Sequence, residues 1–325
     1  MPMPRKALIA VENTSYYHVI SRCVRRAFLC GVDATTGIDY EYRRGEIEER
    51  LLFLGTVFSI DICAYAILSN HHHEVLHIDQ DRANAWSESE VVSRWHQIYD
   101  GNLFSQRFAK GETLSKAEKL RLDESIAEWR ERLADISWFM RRLNEPTARQ
   151  ANKEDNCTGK FFEARFKSQA LLDEQAVVSC MAYNDLNPIR AGMADTPESS
   201  EHTSIKLRIE AAQNNSIPDQ LMRFQGNAQK DKTEGIPFAL KDYVELIEWT
   251  GRAIHPNKRG FIAEKTPPIL KRLKISPEEW LELSEKFEDN FSTWVGNNHS
   301  LEKLTAHHKK RHTAGSRRCR QAFAA

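Results

Sequence analysis

Residues 69–79 read Ser69-Asn70-His71-His72-His73-Glu74-Val75-Leu76-His77-Ile78-Asp79, and the backbone given to this stretch decides both fold and chemistry. If it is extended, His71 and His73 point to one side of a strand, and His72 and Glu74 point to the other. If it is helical, His73-Glu74-x-x-His77 matches H-E-x-x-H, in which two histidines on one helix face hold zinc and the glutamate acts as base. The first reading leads to a pair of imidazoles serving one divalent cation. The second leads to a zinc metallopeptidase.

The flanking residues favour the strand. Upstream lies the short apolar run Ile62-Cys63-Ala64-Tyr65-Ala66-Ile67-Leu68, rich in β-branched and aromatic members, then the turn-like pair Ser69-Asn70. Downstream, Ile78-Asp79-Gln80-Asp81 is a polar stop one residue past His77. A zinc-binding helix of about three turns does not fit between those marks. Glu88 or Glu90 would offer a third zinc ligand, but many chains carry an acid at such a distance. Three adjacent histidines also suit a plain polar strand edge.

Working outward, Ser15 to Cys23 is β-rich and reads as a first strand. A helix follows from about Tyr40 to Phe58, with Ile47, Leu51, Leu54 and Phe58 along one face. Asp61 to Leu68 is a second strand and Glu74 to Ile78 a third. Residues 80–150 read as helical, with Ile126, Trp129, Leu133, Ile136, Met140 and Leu143 forming one apolar stripe, and the polar residues 144–160 read as a loop. Phe162 to Ala170 alternates, with Phe162, Ala164, Phe166, Ser168 and Ala170 on one side and Glu163, Arg165, Lys167 and Gln169 on the other. This predicts a half-buried strand with a basic outer face. A helix from about Asp173 should end near Asn187, because Pro188 disfavours the α conformation before it. The order β-α-β-β-α-β-α over the first 195 residues predicts a small antiparallel sheet covered by helices.

Residues 201–325 read as a mainly helical extension without an assigned role. Leu240 to Ala253 is one helix. Ser276-Pro277-Glu278-Glu279-Trp280 starts another, with Ser276 as N-cap, Pro277 at the first position and Glu279 closing a capping box; Trp280, Leu283, Phe287 and Phe291 form its apolar stripe. The chain end is basic, with Lys309, Lys310, Arg311, Arg317, Arg318 and Arg320.

The bulk numbers narrow the class. The chain has 325 residues, 28% charged and 41% apolar, with a formal net charge of zero. That is ordinary for a soluble protein with a sizeable core, and any nucleic-acid contact must come from local patches. No apolar run is long enough for a membrane span, and Met1-Pro2-Met3-Pro4-Arg5-Lys6 opens no secretory signal. The scattered cysteines at 23, 30, 63, 157, 180 and 319 form no C-x-x-C pair and read as reduced thiols of a cytoplasmic protein.

Tyr183 and Asn187 lie four apart on the helix before Pro188 and share a face. An amide oxygen is a hard ligand suited to Mg2+ or Mn2+, and a tyrosine can serve as a nucleophile. A lone tyrosine in a helix is more often packing.

Together these pieces resemble a known family. Asn70-His71-His72-His73 is similar to the N-H-x-H signature of the HUH single-tyrosine (Y1) transposases of the IS200/IS605 type. Tyr183-Asn184-Asp185-Leu186-Asn187-Pro188-Ile189-Arg190-Ala191-Gly192 resembles the tyrosine segment of their REP-associated relatives. Tyr16-Tyr17-His18-Val19-Ile20-Ser21-Arg22 resembles the family's opening strand, and Gly159-Lys160-Phe161-Phe162-Glu163-Ala164-Arg165-Phe166 the strand before the tyrosine. The sequence departs from the family at His72, where a large apolar residue is usual, and at Ser69, often proline.

The resemblance implies a ferredoxin-like antiparallel sheet flanked by helices in residues 1–200. It implies His71 and His73 as metal ligands with Asn187 as third, Mg2+ or Mn2+ as the ion, and Tyr183 as nucleophile. The activity implied is cleavage and strand transfer of single-stranded DNA through a 5′-phosphotyrosine, at hairpins or palindromic repeats, by a monomer or homodimer. Candidate DNA contacts are Arg22, Arg25, Arg26, Arg165, Lys167 and Arg190. A catalytically inactive DNA-binding relative is the remaining alternative.

Overall fold

The computed structural model describes residues 9, 11–24, 29–33, 37–226, 235–254, 267–307 and 316–323. Arg25, Arg26, Lys309, Lys310 and Arg311 therefore lie outside the described residues. The chain divides into two compact units, one of residues 1–45, 62–77 and 160–325, the other of residues 46–61 and 78–159.

The protein is α+β, and its first unit is built on a sheet. The strands are β1 (Tyr16–Arg22), β2 (Ile60–Ile67), β3 (His71–Ile78), β4 (Lys167–Leu171) and β5 (Trp294–Val295), in the order β2-β3-β1-β4-β5. The four strands up to residue 171 follow the expected ferredoxin-like order, and β1 pairs antiparallel with both β3 and β4. The fifth strand was not legible in the sequence. Only two residues long, it runs parallel to β4, held by Ala170 N–H to Thr293 O at 2.8 Å and Leu172 N–H to Val295 O at 2.8 Å. The sheet is therefore mixed.

Two local expectations need correction. The strand before the tyrosine helix covers only Lys167–Leu171; Phe162 makes an isolated bridge to Cys23, and Glu163, Ala164 and Arg165 form bends. Its Lys167/Gln169 side is not an outer face throughout, because Gln169 is buried. Residues 144–154 are helical, not a loop, in a helix that spans Ile136–Glu154 with Pro146 inside it. Proline leaves the carbonyl four residues back without its helical donor. That carbonyl, Arg142 O, accepts from Arg50 Nε instead, so the helix continues past the proline.

The second unit shows how polar sequence makes helices. Asp79, Ser87, Asn102, Ser115 and Asp135 each cap a helix start by accepting a backbone N–H in the first turn. The predicted apolar stripe is entirely buried but is split between Lys116–Leu133 and Ile136–Glu154, since Asp135 starts a new helix.

In the C-terminal region, the helices Leu240–Ile254 and Pro277–Asn290 stand where the sequence put them, and Trp280, Leu283, Phe287 and Phe291 are buried. Ser276 caps Glu279 N–H as expected. The Glu279 carboxylate, however, pairs with Arg318 at 2.6 Å instead of closing the capping box. Among the described residues no helix is long and apolar enough to cross a membrane.

Candidate active site

Residues 71–78 form a strand, and this rejects the H-E-x-x-H reading. Glu74 lies on the opposite face from His73 and His77; it is fully buried and bonded to His72 Nδ1. His77 lies against Tyr16, ring centroids 4.5 Å apart. The zinc metallopeptidase alternative has no geometry to support it.

The register of the sheet assembles the site. In antiparallel pairs, directly opposed residues point the same way. His73 opposes Ile20, His71 opposes Arg22, and Gln169 opposes His18. One face of the sheet therefore carries His18, Ile20, Arg22, His71, His73, Lys167 and Gln169. The helix Glu174–Asp185 brings Tyr183 over it. The Tyr183 ring lies 5.7 Å from that of His73 and 6.2 Å from that of His18, both edge-on. The His71 and His73 rings are 4.6 Å apart. Residues more than a hundred positions apart thus meet within a side-chain length.

The tyrosine helix is fixed at its C-terminal end. Asp185 is buried and accepts from Ser204 Oγ at 2.5 Å, from Ile205 N–H at 3.0 Å and from Tyr243 Oη at 2.6 Å. Burial raises its pKa to about 6 despite these bonds. Gly251 lets the helix Leu240–Ile254 come close here: a Cβ on it would stand 3.2 Å from Ile189 Cδ1 and 3.4 Å from Leu186 Cδ2. The chain then turns into the short helix Asn187–Arg190, which aims Arg190 back at the tyrosine. Its guanidinium lies over the Tyr183 ring at 4.1 Å, and Nη1 donates to Ser284 O at 2.7 Å.

Electrostatically the site is deeply buried, and the acids that act on it, Glu288 and Asp289, come from the helix Pro277–Asn290. Burial lowers the pKa of His18 to about 4, offset in part by its bond to Gln169 and by Glu288. Burial, then the charges of Arg22, His72 and Arg190, takes His71 down to about 3. Burial and the neighbouring His71 hold His73 well below the usual imidazole value. All three are neutral near pH 7. Tyr183 is pushed up to about 12 by burial, against the pull of Arg190.

Two buried polar atoms here, His73 Nε2 and Nδ2 of Asn187, have no hydrogen-bond partner, and the Asn184 side chain lies beside His18. Buried polar groups are nearly always satisfied, so a cluster of orphans marks a place for a further ligand. Neutral imidazole nitrogens and amide oxygens are the right donors for a divalent cation such as Mn2+ or Mg2+. Among the described residues no group of three or more His, Cys, Asp or Glu side chains is arranged to hold a metal. His71 and His73 would need an amide oxygen or a substrate oxygen to complete the set.

The other predicted residues are placed as follows. Arg22 pairs with Glu288 at 3.5 Å and Lys167 with the same carboxylate at 3.3 Å, so both basic groups are held at the site edge. Arg165 is exposed, and its bend puts it outside the strand. Arg190 is tied to Tyr183 and Ser284 more than to the surface.

Sequence reasoning missed His18, Gln169, Asn184 and Glu288. Strand parity could have found two of them, since His18 shares its side with Arg22 and Gln169 with Lys167. It also missed the part played by the C-terminal third, where Phe287 lies 5.9 Å from Tyr183 and 6.0 Å from His18. Nothing local in the sequence announces that contact.

No family model matches the chain, and no curated protein does. Among solved structures, the chain is similar to a REP-associated tyrosine transposase bound to a REP hairpin, at 10% identity and a TM-score of 0.36, over 68% of this chain and 90% of that one.

Proposed function

We propose that the protein cleaves and rejoins single-stranded DNA, with Tyr183 as nucleophile and His71 and His73 as ligands of one Mg2+ or Mn2+ ion. The observation that carries this reading is the convergence of a helix-borne phenol on two neutral strand imidazoles, one of which keeps a buried nitrogen without a partner. The motif resemblance of residues 70–73 and 183–192 supplies the substrate class.

In the proposed step the Tyr183 oxygen attacks a backbone phosphorus. The O–P bond to tyrosine forms, the bond to the 3′-oxygen breaks, and a 5′-phosphotyrosine and a free 3′-hydroxyl result. The reverse attack by a 3′-hydroxyl rejoins strands without an outside energy source. A bound divalent cation would neutralise a non-bridging phosphate oxygen and favour in-line displacement. The side chains of His71 and His73 would hold it, with Asn187, and Asn184 beside it, as amide candidates for a third position.

Tyr183 enters the reaction protonated, because its pKa is about 12. Its proton must leave as the oxygen attacks, and the leaving 3′-oxygen needs one in return. Arg190 against the ring face stabilises negative charge on the phenol. Phe287 packs against the same ring, centroids 5.9 Å apart. Arg22 and Lys167 are the phosphate contacts at the site edge, and a DNA strand would take them from Glu288.

A labelled single-stranded hairpin library incubated with the protein and Mn2+ tests this. A covalent adduct stable to denaturation is expected. It should be absent with EDTA and reduced at least about a thousandfold in Tyr183→Phe. DNA bound without an adduct in any library member would overturn the enzymatic reading in favour of a binding-only protein.

A further inference from the structure

The two candidate ligand histidines differ in how their second ring nitrogen is held. His71 Nδ1 is bonded to the side-chain oxygen of its neighbour Asn70, which fixes it locally. His73 has no such neighbour. Its Nδ1 faces His18 Nε2 at 3.1 Å, His18 Nδ1 faces Gln169 Oε1 at 2.7 Å, and Gln169 Nε2 faces Phe291 O at 2.7 Å. All four residues are buried.

The proton positions in this chain follow from one fixed end. A backbone carbonyl only accepts, so Phe291 O requires the amide nitrogen of Gln169 to face it. The amide oxygen then faces His18 and accepts from Nδ1–H. A neutral His18 has no second proton, so its Nε2 must accept, and the donor is His73 Nδ1–H. A neutral His73 is thereby left with a bare Nε2, the atom found buried without a partner.

We propose that His18 and Gln169 are positioning residues which, anchored by the Phe291 carbonyl, lock His73 in the Nδ1–H tautomer and so present its Nε2 lone pair to a cation. The inference deepens the proposed function and rests on it for the identity of the ligand; the tautomer itself does not. It also gives the C-terminal third a part in the site. Phe291 ends the helix Pro277–Asn290, just before β5 docks onto β4. An imidazole in water favours the opposite tautomer, so the relay has something to overcome. Partners that orient a ligating imidazole in this way are worth about 10- to 100-fold in metal affinity. Both rings are fully buried, and the groups bonded to them along the relay are neutral side chains, the setting in which an imidazole stays uncharged.

The test uses the full chain labelled with 15N in its histidine rings. Metal-free, the His73 ring, identified by its loss in His73→Gln, should show a protonated Nδ1 and an unprotonated Nε2. Gln169→Leu should abolish that preference and weaken Mn2+ binding, measured by calorimetry, by about 10- to 100-fold. A merely structural role for Gln169 would lower the melting temperature of Gln169→Leu and leave the tautomer alone. A protonated Nε2 in the unchanged protein, or a Gln169→Leu protein with unaltered tautomer, overturns the relay. If the Nδ1–H signature is present but the unchanged chain binds no Mn2+, the nuclease reading falls and the relay stands.

Discussion

The two faces of β3 carry the same chemistry in different states. On one, His72 and Glu74 are neighbours two residues apart; both are buried, and the imidazole is bonded to the carboxylate. Phe162 closes over the His72 ring at 5.9 Å. On the other, His71 and His73 meet no carboxylate, and one ring nitrogen is left without a partner in a dry site. The contrast shows that a buried histidine becomes a ligand candidate through the direction of its hydrogen bonds. A ring that has spent its nitrogen on a carboxylate is structure; a ring whose far nitrogen is occupied and whose near one is bare is prepared for something else.

The largest expected effect compares the faces directly. His73→Ala should reduce strand cleavage by about a thousandfold, through loss of cation stabilisation worth several kcal/mol, while the fold stays intact. His72→Ala should leave cleavage per folded molecule within about threefold. It should, however, cost about 3 kcal/mol of stability in urea unfolding, because Glu74 is left buried without its partner. Equal losses of cleavage in the two variants would erase the distinction between the faces.

The sequence made one face of this contrast legible and hid the other. Alternation along residues 71–78 separates His71 and His73 from His72 and Glu74 without any structure, because side chains on a strand repeat every two residues. The tyrosine helix and its stop before Pro188 were legible for the same local reasons. What could not be read was tertiary: His18 and Gln169 become partners only through the register of β1 with β4. Phe287, Glu288 and Phe291 reach the site on a helix, Pro277–Asn290, that packs against the tyrosine helix from far along the chain. The stretch 144–154 was misread because its polarity outweighed a helix that Arg50 repairs from outside.

Acid should act on the site face in a defined direction. His18 titrates at about 4 and His71 at about 3 in the fold, against 6.5 when unfolded. Between those values the unfolded chain binds protons that the folded one refuses, so stability present above pH 6.5 is lost as pH falls. Each such group contributes about 1.4 kcal/mol per pH unit. Asp185 acts the other way: with its pKa raised from 3.8 to about 6, it takes its proton first in the fold, and its contribution grows as pH drops through that window. His73 also resists protonation, so the histidines prevail and the net slope is a loss. In His18→Gln the fall between pH 6.5 and 4.5 should be shallower by about 2–3 kcal/mol. An unchanged slope in metal-free urea titrations would mean that His18 is already charged in the fold, which would also reverse the proton order along the relay.

The smallest effect concerns the edge of the same face, where Glu288 holds both Arg22 and Lys167. These pairs are partly exposed, so each is worth at most about 1 kcal/mol, and less in salt. Their interest is positional. The carboxylate occupies the two cations that the proposed reading gives to a phosphate, and it lies one residue from Phe287, which lies against the tyrosine ring. Glu288→Gln in a Tyr183→Phe background, where covalent capture cannot blur the equilibrium, should bind single-stranded DNA about three- to tenfold tighter at 50 mM salt, with the gain shrinking at 200 mM. Unchanged affinity at both salt concentrations would mean that DNA approaches Tyr183 without meeting Arg22 and Lys167. The path to the nucleophile would then have to be sought beside Arg190 and Asn187.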